Sequence, residues 1–185
     1  MEPRLLTQLH FPPLSTTFLE APLATNTLLQ NEHELLEQLS EMFLAAGESL
    51  RANNIDSAED TLREIIRLEP RLAEPQLSLA RVMLDSNRLP SAEEHTRIAL
   101  RNLDETGIWT EDVAENVVRA IAHAQLAEIL RRTADEDDVI FGDPERFKAL
   151  LRESQEHYQK AATLDPSDDT ASYYAFFMGP PTQGG

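Results

Sequence analysis

The chain has 185 residues, 41% of them hydrophobic, which is enough for one domain with a core of its own. Its 33 acidic against 16 basic residues leave a net charge of −17, so the mean field repels phosphate backbones and anionic headgroups and sets nucleic acid aside as a partner. There is no cysteine, which removes disulfides, thiolate metal sites and thiol catalysis together and fits a reducing compartment.

Residues 1–30 carry only three charges, Glu2, Arg4 and Glu20, while Pro3, Pro12, Pro13 and Pro22 forbid a continuous helix. The stretch reads as an extended apolar arm. Its Leu5, Leu6, Leu9, Phe11, Leu14, Phe18, Leu19 and Leu23 are too many for a solvated tail. Two readings stand: the arm packs over its own domain, or it docks on another chain and makes a homo-oligomer by exchange. It lacks the basic leader and apolar run of a secretory signal, and no stretch approaches about 18 consecutive apolar residues. A cytoplasmic protein without membrane insertion is expected.

Asn31 with Glu34 predicts a capping box for a helix running to about Ala52, with Leu35, Leu36, Leu39, Met42, Phe43 and Ala46 on one face. Asn53 and Asn54 make a turn. Asp56 with Glu59 is the expected cap of the next helix, whose Leu62, Ile65, Ile66 and Leu68 face inward until Pro70 and Pro75. A third helix over about 73–86 turns at Asn87 and Arg88 into a fourth opened by Pro90, with Ala92, Ile98, Ala99 and Leu103 inward. After a joint at 105–108, Thr110 is the expected cap of a helix from Glu111 to about Arg132, with Trp109 stapled onto its first turn. Residues 134–145, ADEDDVIFGDPE, hold six carboxylates and no base and read as a solvated loop. Asp143 and Pro144 open a helix to about Leu164, and Asp168 or Ser167 opens a last short one through Tyr173, Tyr174, Phe176 and Phe177. Residues 179–185 read as a disordered tail.

Small residues recur in register across this series. Ala46 and Ala58 become Ala80 and Ala92, each displaced by 34 positions, and a period of 34 built from two amphipathic helices marks a helix-turn-helix solenoid. At AEDTLREIIRLEP the chain resembles the tetratricopeptide repeat. Unit one, about 39–72, matches with Ala46, Ala58, Leu62 and Pro70, although Ile65 replaces a small residue. Unit two, about 73–106, matches at Ala80, Ala92 and Ala99, with Thr96 and Asp104 where an aromatic and a proline are usual. Unit three, about 120–168, has Tyr158, Ala161 and Pro166 in SQEHYQKAATLDP, with Ser154 for the alanine and Ala127 as its partner. Their spacing exceeds the usual one by fifteen residues, an insertion near 133–147. The resemblance implies an all-α right-handed superhelix over 31–178, closed by a capping helix at 168–178.

In that family the first helix of each unit lines a concave groove that takes an extended peptide or a helix. Here the groove would receive Phe43, Gly47, Leu50 and Arg51, then Leu77, Ser78, Arg81 and Leu84, then Ala124, Gln125, Glu128 and Arg131. Arg51, Arg81 and Arg131 would converge there with apolar residues between them, or else pair with local carboxylates. The family's carboxylate clamp for chaperone tails needs lysine, asparagine and arginine where this chain has Phe43, Gly47, Ser78, Ile121 and Gln125, so that role is not implied. Val139, Ile140 and Phe141 either tuck under the acidic stretch or form a hook for a partner.

No cofactor or metal is expected. Asp135 and Asp137 begin a calcium-loop spacing, but Val139 and Arg146 stand at the next ligand positions. His10, His33, His95, His123 and His157 are scattered, HELLE is not a zincin motif, and no phosphate loop or nucleophile elbow occurs. His123 reads as an interior histidine with no second histidine spaced to join it. The expected function is therefore non-enzymatic: an adaptor that binds a peptide or helix of a partner protein. The alternatives are a small acidic chaperone for a secreted or assembly-prone partner, similar in layout to type III secretion chaperones, and an arm-exchanged homo-oligomeric scaffold.

Overall fold

Two asparagines shape the first half of the molecule. Asn53 (φ 58°) and Asn87 (φ 56°) are the non-glycine residues with left-handed backbone among those described, a conformation asparagine tolerates better than most residues. Around Asn53 the amide of Asn54 donates to Ser49 O and that of Asn53 to Leu50 O. Around Asn87, Arg88 donates to Met83 O and Asn87 to Leu84 O. The same pair of helix-ending bonds thus appears twice, 34 residues apart.

The computed structural model describes residues 22–107 and 113–177. Their secondary structure is entirely helical: α1 (Pro22–Arg51), α2 (Ile55–Leu68), α3 (Ala73–Asp85), α4 (Leu89–Glu105), α5 (Glu115–Ala134), α6 (Asp137–Gly142), α7 (Pro144–Leu164) and α8 (Asp169–Phe177). Successive long helices pack on one another, α5 most extensively on α7, with α3 also touching α5. Among the described residues no helix is long and apolar enough to cross a membrane. The expectations for residues 1–21, for Trp109 and Thr110, and for the tail at 179–185 lie outside the described residues.

Several boundaries differ from the sequence reading. Helix α1 begins at Pro22 and not at Asn31, so residues 22–30 are not extended arm. Proline's fixed φ and missing N–H suit a first turn, where the amide has no helical partner. Helix α2 is capped by Asn54, whose side chain accepts from Ser57 N at 3.4 Å, and Asp56 lies inside its first turn. Glu59 turns instead to Arg63 and to Arg88 at the start of α4, whose hydrogen bonds hold its carboxyl down at about 2. Helix α5 starts at Glu115 and not Glu111, with Val113 and Ala114 before it outside the helix. The acidic stretch is not a bare loop: α6 forms within it, with Val139 fully buried. Asp143 caps α7 through Arg146 N at 2.9 Å, and Asp168 accepts from Thr170 N and Ala171 N at the head of α8.

The small residues of the repeat pattern are all buried: Ala46, Ala58, Ala80, Ala92, Ala127 and Ser154. Ser154 Oγ donates to Ala127 O at 2.7 Å, so these two positions touch across α5 and α7. The two hairpins differ in length helix by helix. Helix α3 runs five residues past Ala80 and α5 seven past Ala127; α4 starts three residues before Ala92 and α7 ten before Ser154; α6 supplies six more. The core is continuous from Leu39 and Ala46 through Leu62, Leu79 and Leu84 to Ile129. A second group joins Ala73, Leu77, Ala99, Leu103 and Val118, and a third Ala127, Tyr158, Ala161 and Ala171. Helix α8 covers the end of α7 through Ala171 and through Tyr174, stacked on Tyr158 with ring centroids 4.8 Å apart.

Polar clasps tie the units together. Asn102 of α4 donates to Pro70 O at 2.9 Å across the α2–α3 joint, and Asn116 of α5 to Leu164 O at 3.0 Å at the end of α7. Arg119 Nη2 reaches Leu103 O at 2.8 Å, and Arg132 Nη1 reaches Leu84 O at 3.3 Å. These guanidinium groups meet carbonyls at or near the C-terminal turns of α4 and α3, where positive charge is favoured.

Close helix approach at Ala92 leaves no room for a larger side chain. Ala92→Leu is expected to lower stability by about 1–3 kcal/mol in urea denaturation, and a variant as stable as the parent chain would contradict this packing.

Candidate functional site

The helices α1, α3 and α5 border one open cavity of about 770 Å³. Leu50 comes from the end of α1, Leu77, Ser78, Arg81, Val82 and Asp85 from α3, and Ile121 and Gln125 from α5. Asn53 and Ile55 join them from the α1–α2 turn, and Ser86 from the end of α3. Two bonds at the same 48-residue separation hold α5 parallel to α3: Gln125 Nε2 to Leu77 O at 3.1 Å, and Arg132 Nη1 to Leu84 O. Gln125 also donates to Thr96 Oγ1 at 3.3 Å, and Thr96 donates to Ala92 O. The buried threonine is thereby satisfied and its neighbour Gln125 is fixed in the wall of the cavity.

The cavity is apolar and electrically balanced. Ile121 is 50% exposed and Leu50 36%, two aliphatic side chains open to the same space. Its charged lining residues, Arg81 and Asp85, bind each other at 3.0 Å one helical turn apart.

The expected groove residues divide accordingly. Leu50, Leu77 and Arg81 line the cavity, with Ser78 and Gln125 beside them. Leu84 does not, because it is fully buried in the core, and Phe43 packs half-buried against that core. Arg51 folds back on its own helix, with a guanidinium nitrogen 3.7 Å from where a side chain on Gly47 would begin. Glu128 and Arg131 face α7 and α8. Arg131 binds Glu128 at 3.0 Å and Asp135 at 2.9 Å, and its guanidinium lies 5.8 Å from the centre of the Tyr174 ring. Arg132 and the Tyr158 hydroxyl also bind Glu128. Burial pushes the Glu128 carboxyl up, but the two arginines outweigh it and hold the group below its ordinary range. Burial, then Glu128, pushes the Tyr158 phenol up. The three arginines therefore do not converge, because carboxylates within one helical turn hold Arg81 and Arg131.

The expected hook is reduced as well. Val139 is fully buried and anchors α6, while Ile140 and Phe141 are both exposed, Phe141 at 81%.

A histidine pair was missed in the sequence. His123 Nδ1 lies 2.8 Å from His157 Nδ1, so one ring donates to the other and both are neutral. The pair is separated by 34 residues, the repeat period, and that spacing was the available signal. Burial lowers both pKa values to about 4, assisted at His123 by Lys160 and at His157 by His123 itself. The charged groups around the pair come from three helices: Arg97 and Asp104 on α4, Arg119 on α5, Glu153 and Lys160 on α7. Among the described residues no group of three or more His, Cys, Asp or Glu side chains could hold a metal ion.

No protein-family model matches the chain, and no curated protein matches it.

The histidine pair sets a pH dependence. Its folded pKa values lie below the free value of about 6.5, so the stability it contributes is fully present above pH 6.5. As pH falls toward 4 the unfolded chain binds protons that the native pair refuses, and that stability is lost. Urea denaturation at pH 7, 6 and 5 should show stability falling by a few kcal/mol, with His157→Gln removing roughly half of the fall. An unchanged slope in this variant would assign the proton uptake to other groups.

Proposed function

We propose that the chain is a non-enzymatic adaptor built from three tetratricopeptide-like units, which holds a peptide or helical segment of a partner protein in the α1–α3–α5 cavity. Support for the repeat comes from the six buried small residues, the duplicated turn at Asn53 and Asn87, and the Ala127–Ser154 contact. The observation that carries the binding reading is that the first helices of the three units share one open cavity, with aliphatic side chains exposed in it. Its paired Arg81 and Asp85 give little reward to a highly charged ligand, so a weakly charged segment with aliphatic anchors fits best. A single groove of this kind is expected to bind near micromolar, about −8 kcal/mol, which makes local concentration part of its selectivity.

Affinity capture with quantitative mass spectrometry tests the reading. Ile121→Asp adds a charge to the exposed apolar wall without entering the core, and Arg81→Glu breaks the ion pair and sets two carboxylates side by side. Both should reduce a genuine groove partner at least tenfold against the parent chain, while Phe141→Ser leaves it in place. Partners retained equally by all three variants would remove the groove from the function.

A further inference from the structure

Residues 1–21 lead directly into α1, and fifteen of them in a row, 5–19, carry no Asp, Glu, Lys or Arg. We propose that this N-terminal segment of the chain docks in the chain's own α1–α3–α5 cavity, so that a partner must displace it to bind. The inference rests on reading that cavity as a peptide-binding surface.

Three observations meet here. The first is chemical. The cavity offers Leu50, Ile55, Leu77 and Ile121, and its two charges neutralise each other. The segment brings Leu5, Leu6, Leu9 and Phe11 in a stretch with no charge to desolvate, whereas 26% of the whole chain is charged.

The second is reach. Leu50 lies 28 residues beyond Pro22 along α1, a distance of about 42 Å at 1.5 Å per residue. Leu9 lies thirteen residues before Pro22, and thirteen residues of extended chain span about 40–43 Å. A segment doubling back along α1 in extended form would therefore bring Leu9 level with Leu50, with Leu6 and Leu5 about 9–13 Å beyond it. Pro12 and Pro13 fall in the part that must bridge the distance, and proline disfavours helix at the residues just before it.

The third is concentration. A segment tethered to its own site by a short linker acts at an effective concentration of about millimolar, above that of a second copy at micromolar chain concentrations. Docking within one chain is favoured over exchange between two.

The chain has no cysteine, so engineered pairs report the contact cleanly in the full-length protein. Under mild oxidation, Leu9→Cys with Ser78→Cys is expected to form an intramolecular disulfide at least tenfold faster than Leu9→Cys with Arg101→Cys, which sits on the exposed side of α4. Adding Ile121→Asp to the first pair should slow it at least fivefold, with circular dichroism verifying that helix content is kept. Equal rates for the two pairs would overturn the proposal, as would a disulfide found only in dimers, which would assign the segment to a second copy. The partner capture with Ile121→Asp is read separately. Loss of partner without the crosslink leaves a peptide-binding groove that the segment does not occupy, and a crosslink with the partner retained leaves a self-docked segment and no groove function.

Discussion

The architecture depends on how closely its helices can approach. Helix axes pack at about 8–10 Å, and the nearer end of that range requires small side chains at the crossing. Ala46 and Ala58, Ala80 and Ala92, and Ala127 and Ser154 meet that requirement, each fully or almost fully buried. In the third crossing the serine hydroxyl bonds to the alanine carbonyl, which satisfies a polar group that close packing would otherwise strand. Towards their connecting turns, helices α5 and α7 run farther beyond Ala127 and Ser154 than α3 and α4 run beyond Ala80 and Ala92, with the short α6 between α5 and α7.

Helix α5 connects the two halves of the molecule. It packs on α4 and α7, touches α3, and supplies Asn116, Arg119, Gln125 and Arg132 to carbonyl groups of α3, α4 and α7. Gln125 has a double position, since it stitches α3 and α4 together and also lines the cavity. The polar network thus aligns the helices around the cavity, and Ile121, one turn away, gives it an exposed apolar wall. In the binding role proposed for it, such preorganised walls would reduce the ordering needed on binding.

Net charge and local charge work differently here. An excess of acid leaves most arginines a carboxylate within reach on their own helix, as with Arg63, Arg67, Arg81, Arg97 and Arg131. Such exposed pairs contribute little to stability individually. Their consequence is for recognition: the basic groove suggested by three arginines does not form, and the cavity is left neutral inside a strongly acidic molecule.

Much of the fold was legible in the sequence because its determinants are local. The 34-residue displacement of alanines, the two asparagine turns and the proline at the head of α7 each act within a few residues, and they located most helix boundaries. Pro22 misled because the same ring that breaks a helix interior suits its first turn. Leu50, Leu77 and Arg81, which the resemblance places in a groove, line the cavity. What register could not supply was the outcome of competition among distant side chains. Leu84 shares the helix and spacing of Leu77 yet is enclosed by the core, and Arg131 turns to Glu128, Asp135 and the ring of Tyr174. His123 and His157 are brought within hydrogen-bonding distance only when α5 and α7 pack. Periodicity along one chain determined which faces would be apolar; tertiary packing alone decided which groups were enclosed, captured or left open, because burial and pairing depend on atoms that other helices bring.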